Sequence, residues 1–145
     1  MRKLCADFHT HTTYCDGKST PRQMVEAAYS MGLTDFGISG HADYSMWEPG
    51  FGMSDAILSA YKQELEILRE EYAGKMNIYI GIELDTLGPV QQAEYAIGST
   101  HSILKDGHLV TVDDTEEKLV QAVETLWNGD WYAMTRDYFE LEATV

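Results

Sequence analysis

Positive charge is scarce in this sequence. Ten lysine and arginine residues stand against 24 aspartate and glutamate residues, which gives a formal net charge of −14 at pH 7. Proteins that hold the phosphates of DNA or RNA need a basic surface, so the composition argues against a nucleic-acid partner. We expect most of the acidic excess to lie on a solvated surface, and the remaining carboxylates are candidates for binding divalent cations.

Long apolar segments and paired cysteines are also lacking. No apolar run approaches the roughly 20 residues that a membrane-spanning helix needs, and residues 1–3 lead into Asp7 rather than into a signal-peptide core. These absences predict a cytoplasmic protein without a membrane partner. The two cysteines, Cys5 and Cys15, form no CxxC pattern, so we expect two reduced thiols rather than a disulfide. A role as zinc ligands beside the histidines is the less favoured alternative.

The signatures of several common enzyme classes are missing as well. The sequence has no GxSxG motif, no glycine-lysine phosphate loop and no GxGxxG motif. Such motifs place a serine nucleophile, or a loop that cradles phosphates, at the end of a strand. Serine hydrolases, P-loop enzymes and Rossmann dehydrogenases are therefore not indicated.

The sequence has the composition of a globular protein, with 44% hydrophobic and 23% charged residues. Its length of 145 residues is typical of one domain. The pattern predicts strands at 3–8, 33–39, 76–84 and 94–99, a helix from Thr20-Pro21 to Gly32, a second helix at 54–72, a hairpin at 103–112, and helices at 115–127 and 131–143. Strands recur at about the 30-residue spacing of βαβ units. This order predicts an α/β fold with parallel strands.

Four of the five histidines follow predicted strands. His9 and His11 come after the first strand, His41 after the second and His101 after the fourth. Active sites of parallel α/β folds lie at the carboxyl ends of the strands, so this placement is itself a functional signal. The fifth histidine, His108, falls in the predicted hairpin and is interpreted as a surface residue.

The histidines and nearby carboxylates have the chemistry of metal ligands. His9 and His11 stand two apart on an extended segment, so their side chains point to the same side, and such a pair suits Zn, Mn or Fe. Glu83 closes an apolar strand, where an unpaired carboxylate would be costly. Each residue alone also has an ordinary structural explanation, and the clustering carries the prediction. The predicted metal ligands are His9, His11, Asp16, His41, Glu83 and His101.

Two further features each allow two interpretations. Asp85 points the same way as Glu83 along the strand and is either a partner of a metal ligand or the start of a loop. Tyr44 and Trp47 follow His41 and either pack in the core or line a substrate pocket.

Four motifs together resemble one known family. DFHTHTTYCDGKS, ISGHAD, GIELD and IGSTH, in this order, resemble the first four motifs of the polymerase and histidinol phosphatase (PHP) superfamily, and the chain is most similar to the histidinol-phosphatases. The resemblance implies a distorted (β/α)7 barrel, of which the chain covers roughly the N-terminal half. It also implies a cytoplasmic enzyme of histidine biosynthesis.

The resemblance further implies a reaction and a set of roles. The expected activity is that of a metal-dependent phosphomonoesterase, which hydrolyses L-histidinol phosphate to L-histidinol and phosphate with a metal-activated water. Up to three Zn, Mn or Fe ions are expected. His9 and His11 would hold one ion, Glu83 would bridge it to a second ion bound by His101, and Asp16 and His41 would serve the third. His41, Glu83 and His101 are the expected catalytic residues.

The sequence departs from the family pattern at its C-terminal end. The family takes further ligands from later strands, a histidine and then an Asp/His pair, which the 145 residues do not include. We therefore expect residues 1–145 to be an incomplete PHP domain that self-associates. Two alternatives stay open: a PHP-type nuclease or other phosphoesterase, and a truncated metal-binding fragment without turnover.

Overall fold

The computed structural model describes residues 5–144, and every predicted helix and strand is present there. The elements are β1 (Ala6–Asp7), α1 (Pro21–Met31), β2 (Asp35–Ile38), α2 (Asp55–Glu71), β3 (Asn77–Asp85), β4 (Tyr95–Ser99), β5 (Ser102–Lys105), β6 (His108–Thr111), α3 (Glu116–Leu126) and α4 (Trp131–Glu142). Residues 3 and 4 of the predicted first strand lie outside the described residues. The chain forms two compact units. Of the described residues, 5–84 and Gly88–Ile97 belong to one unit, and Asp85–Leu87 and 98–144 belong to the other.

The first unit is built on a parallel sheet. The strand order is β1-β2-β3-β4, and β1 pairs in parallel with β2, as β2 does with β3. In the register, Asp7 lies beside Phe36, and Ile38 lies beside Ile80. Parallel neighbours require a crossover connection, which α1 and α2 supply. The predicted α/β architecture with parallel strands is therefore confirmed.

Helix α1 begins and ends where its sequence indicates. Thr20 accepts a hydrogen bond from the backbone N–H of Gln23, while the Gln23 side chain accepts one from the Thr20 N–H, which completes a capping box. Pro21 occupies the first turn, where its missing N–H costs nothing. Gly32 ends the helix with a φ of 78°, a conformation that glycine adopts without strain.

The core of the first unit joins both helices to the central strands. Leu65 and Leu68 of α2 are fully buried, and each such side chain contributes about 1.5–3 kcal/mol. The hydroxyl of Tyr61, also on α2, lies 2.6 Å from the carbonyl oxygen of Ile38 and 2.8 Å from that of Gly81. This one hydroxyl thus anchors α2 to β2 and β3 at once.

The second unit is a hairpin followed by two helices. Strands β5 and β6 are antiparallel, and the turn between them is made by Asp106 and Gly107, whose φ angles are 48° and 80°. Two positive φ angles in a two-residue loop match the twist of a hairpin. The core of this unit consists of Ile103, Val110, Val123, Trp127 and Met134. Among residues 5–144, no helix is both long and apolar enough to cross a membrane.

Candidate metal centre

The segment that carries His9 and His11 is tied to strand β2 by the residue between them. The Thr10 hydroxyl donates a hydrogen bond to the Gly37 carbonyl (2.9 Å), and the Ser39 N–H donates one to the Thr10 carbonyl (2.9 Å). The Thr10 side chain is thereby turned toward β2. The histidines on either side of it point the other way, as the sequence spacing predicts.

His41 and Glu83 are brought together by backbone pairing. They form a parallel bridge just beyond strand β2, in which the Ala42 N–H donates to the Glu83 carbonyl (2.8 Å) and the Glu83 N–H donates to the Gly40 carbonyl (3.0 Å). Directly paired residues on neighbouring strands point to the same face of the sheet. The two side chains therefore converge.

The centre of the cluster is one carboxylate oxygen. Oε2 of Glu83 lies 3.2 Å from Nε2 of His9, 3.2 Å from Nε2 of His11 and 3.2 Å from Nδ1 of His41. The Glu83 side chain is only 3% exposed. A carboxylate removed from water in this way needs compensating charge or hydrogen bonds, and here imidazole nitrogens surround it.

Asp16 extends the cluster on its other side. Its Oδ1 lies 3.2 Å from Nδ1 of His11 and 3.6 Å from Nε2 of His41, and its side chain is 52% exposed. A tight loop places it there, since the N–H groups of Cys15 and Gly17 both donate to the Thr12 carbonyl. A Cβ at Gly17 would lie 2.4 Å from the Thr12 nitrogen, so the loop requires glycine. The Asp-Gly turn therefore positions the Asp16 carboxylate in the cluster.

The cluster strongly alters the protonation of His11. A hydrogen bond with Cys15, whose Sγ lies 3.5 Å from Nδ1, and the contact with Glu83 raise the pKa of His11 to about 10, against the opposing effect of burial. Burial also raises the pKa of the Cys15 thiol, but its hydrogen bonds, first that with His11, outweigh burial and leave this pKa below its ordinary value. Neither Cys5 nor Cys15 is in a disulfide.

The donor atoms fit a divalent cation. Within the first unit, two groups have ligand atoms within 4.8 Å of one another: His9, His11 and Glu83 form one, and His11, Asp16 and His41 form the other. Sets of imidazole nitrogens with carboxylate oxygens suit Zn, Mn and Fe. Since five of the six predicted ligands come together in the first unit, these residues fit the metals that the sequence indicates.

The sixth predicted ligand, His101, belongs to the second unit. Its Nδ1 lies 2.9 Å from Oδ2 of Asp85, and its Nε2 lies 3.3 Å from the Ser99 hydroxyl. Burial raises the pKa of the Asp85 carboxyl, but hydrogen bonds from His101 and Leu87 hold it below its ordinary value. A metal-binding role for His101 stays a prediction. His108 is exposed on β6, in agreement with its interpretation as a surface residue.

The segment after His41 contains contacts that the sequence did not reveal. Phe51 packs on the His41 ring at 4.7 Å between centroids. Gln91 braces the same segment, because its Oε1 accepts from the Asp43 N–H (2.9 Å) and its Nε2 donates to the Met53 carbonyl (3.2 Å). The Met53 N–H in turn donates to the His41 carbonyl (3.0 Å). No sequence pattern marks Gln91, since its role depends on contacts with residues far away in the chain.

The aromatic residues of this segment differ in environment. Tyr44 is buried and packs edge-on against Phe51 at 6.1 Å, which favours the packing interpretation for Tyr44. Trp47 is half-buried, and its backbone N–H donates to the Tyr44 carbonyl. A role for Trp47 in lining a substrate pocket stays a prediction.

Comparison with known proteins bears on the family and the fold of the chain. The family model described as "PHP domain" matches residues 7–140. The histidinol-phosphatase of Bacillus subtilis is 28% identical over 155 aligned positions, which cover 92% of this chain and 56% of that protein. The chain thus spans about half the length of this curated relative.

Two solved structures resemble the chain. One is a Lactococcus lactis histidinol phosphate phosphatase in complex with zinc, L-histidinol and phosphate, with a TM-score of 0.55 and 25% identity over 83% of this chain and 51% of that one. The other comes from Listeria monocytogenes, with a TM-score of 0.66 and 22% identity over 80% of this chain and 53% of that one. Their likeness confirms the predicted fold, roughly half of a PHP-type barrel.

Proposed function

The chain belongs to the PHP domain family, and on that premise we propose that it is a metal-dependent phosphomonoesterase of the histidinol-phosphatase type. The proposed reaction is the hydrolysis of L-histidinol phosphate to L-histidinol and phosphate. The similarity to the Bacillus subtilis histidinol-phosphatase supports the activity. The zinc, L-histidinol and phosphate in the Lactococcus lactis structure support the metal and the substrate class.

The observation that carries the proposal is the arrangement around Glu83. Three imidazole nitrogens, from His9, His11 and His41, each lie 3.2 Å from one buried carboxylate oxygen. The three imidazoles offer lone pairs that a metal ion can accept, and the buried carboxylate needs a positive charge beside it. A cation among these nitrogens and the carboxylate compensates the buried charge.

The residues of the cluster have distinct tasks in this proposal. His9, His11 and Glu83 would hold one cation, and Asp16 and His41 would hold another. Bound divalent cations supply Lewis-acid charge for the phosphate and lower the pKa of a coordinated water. His101 is proposed as a further ligand. His41, Glu83 and His101 are the proposed catalytic residues.

The acidic composition makes the cations necessary for substrate binding as well. The formal net charge of −14 repels a phosphate monoester at long range. Cations held by the cluster would reverse the sign of the charge locally, so we expect a phosphate to be attracted only to a metal-loaded site. The same acidity disfavours the alternative of a nuclease, whose substrate carries many phosphates.

The test is a phosphate-release assay on the chain with Zn²⁺ or Mn²⁺ and L-histidinol phosphate, with a single-stranded oligonucleotide as the competing substrate. We expect phosphate release that is lost in His9→Ala and kept in His108→Ala, a matched change at an exposed histidine. Cleavage of the oligonucleotide instead would favour a PHP-type nuclease. Zinc binding without turnover of either substrate would favour the metal-binding fragment, and either result would contradict the proposed activity. Self-association and a cytoplasmic location stay predictions.

A further inference from the structure

The second unit contains a histidine whose ring is fixed by a buried carboxylate. Oδ2 of Asp85 lies 2.9 Å from Nδ1 of His101 and also accepts a hydrogen bond from the His101 backbone N–H at 3.0 Å. Two contacts to the same residue hold the ring in one orientation. The Asp85 side chain is 8% exposed, so water competes little for these contacts.

Both oxygens of Asp85 act as acceptors. Oδ1 accepts from the Leu87 N–H at 2.7 Å, which is the local turn expected where a strand ends. Oδ2 accepts from the backbone N–H of His101. An ionised carboxylate has no proton to donate. The ring contact is therefore a hydrogen bond only when Nδ1 of His101 carries the proton.

We propose that Asp85 is a positioning residue that fixes His101 in the Nδ1–H tautomer and so presents the Nε2 lone pair to a divalent cation. The proposal rests on the metal-binding part of the proposed function. Nε2 of His101 lies 3.3 Å from the Ser99 hydroxyl, which would donate a hydrogen bond to it in this tautomer. Asp85 thus has both of the roles that the sequence left open, since one oxygen shapes the turn and the other orients the histidine.

The expected consequence is a gain in metal affinity. Histidines that bind metals commonly donate their second ring N–H to a carboxylate, which orients the ring and raises its basicity, and loss of that carboxylate weakens metal binding by about 10–100-fold. A neutral histidine in the opposite tautomer would have its Nε2 blocked by a proton.

The tautomer of the metal-free chain provides the first test. In ¹⁵N-histidine-labelled protein at pH 8, two-bond ¹⁵N–¹H spectra distinguish a protonated ring nitrogen from a bare one, and His101→Gln assigns the signal. We expect Nδ1 of His101 to be protonated and Nε2 to be bare. Protonation of Nε2, in either the neutral or the doubly protonated ring, would overturn the proposal. Ser99→Ala should leave the tautomer unchanged, and a switch in that variant would also overturn the role of Asp85.

Substitution of Asp85 provides the second test. In Asp85→Asn, the side-chain amide cannot accept from both His101 and Leu87, because one of its two ends is an NH₂ group. We therefore expect a larger population of His101 with the proton on Nε2. We also expect the zinc affinity to be weaker by about tenfold or more. Asp106→Asn, the same change at the exposed hairpin turn, is the matched control. Unchanged zinc affinity in a folded Asp85→Asn would overturn the proposal. A chain that binds zinc with the expected tautomer but releases no phosphate would refute the phosphatase activity and leave this inference intact.

Discussion

Nε2 of His9 lies 3.2 Å from Oε2 of Glu83, although His9 follows the first strand and Glu83 lies on the third. Strand β2 stands between those two strands in the sheet, and His41 lies just beyond the end of β2. Its Nδ1 reaches the same Glu83 oxygen. The order of parallel strands therefore explains why residues far apart in sequence share one centre.

Removal of the Tyr61 hydroxyl tests how the central strands are anchored. Tyr61→Phe keeps the ring in the core but leaves the carbonyl groups of Ile38 and Gly81 without this donor. We expect the free energy of unfolding to fall by about 1–3 kcal/mol, as measured by urea denaturation. Tyr132→Phe, at a side chain that is 85% exposed, should change stability by less than about 0.5 kcal/mol. Equal effects in the two variants would contradict the anchoring role.

Strand β3 requires a glycine at Gly81 because the ring of Tyr95 packs directly on it. A Cβ at Gly81 would lie 2.2 Å from Cζ of Tyr95, so Gly81→Ala should destabilise the chain by about 1–3 kcal/mol through overpacking. The double variant Gly81→Ala/Tyr95→Ala removes the clash, and its loss should be smaller than the sum of the two single losses. Thermal unfolding of the four proteins measures this coupling. Simple additivity would show that the ring and the glycine do not interact.

The metal-free cluster should make stability depend on pH through His11. Its pKa rises from 6.5 to about 10 on folding, so the protonated ring stabilises the folded state. This contribution is fully present below pH 6.5 and is lost as the pH rises toward 10. Because Cys15 is the largest cause of the shift, Cys15→Ala should lower the His11 pKa and weaken this dependence.

NMR titration of the His11 ring in chelator-treated protein measures the effect directly. An unchanged His11 pKa in Cys15→Ala would contradict the assigned cause. With zinc present, the proton must leave His11 before its nitrogen binds the metal, so zinc binding at pH 7 should release protons to the buffer.

Much of the architecture is predictable from local sequence. The Thr20-Pro21 start and the Gly32 end of α1 depend on residues within one turn of the helix, and the Asp106-Gly107 hairpin depends on two residues. The histidines after successive strands are predictable for a similar reason. Once the strands are taken as parallel, their carboxyl ends must meet at one edge.

The remaining features depend on contacts between distant segments. No periodic pattern in the sequence marks these contacts. They are the hydrogen bond from Thr10 to Gly37, the hydrogen bonds of Gln91 and the contact between Cys15 and His11. The sequence could not choose between the two roles of Asp85 either, because its partner His101 follows a different strand. Such pairs are visible only when the fold has placed them together.

The central claim is that Glu83 and the histidines around it form a metal centre, and zinc titration by calorimetry tests it most directly. The chelator-treated chain and the exposed control variant Glu140→Gln should bind zinc with the same affinity. Glu83→Gln keeps the shape of the side chain but removes its charge. Loss of a residue that only supports a metal ligand can weaken metal binding by about a hundredfold, so the zinc affinity of Glu83→Gln should fall by at least that much. Equal zinc affinity in Glu83→Gln and Glu140→Gln would contradict the account.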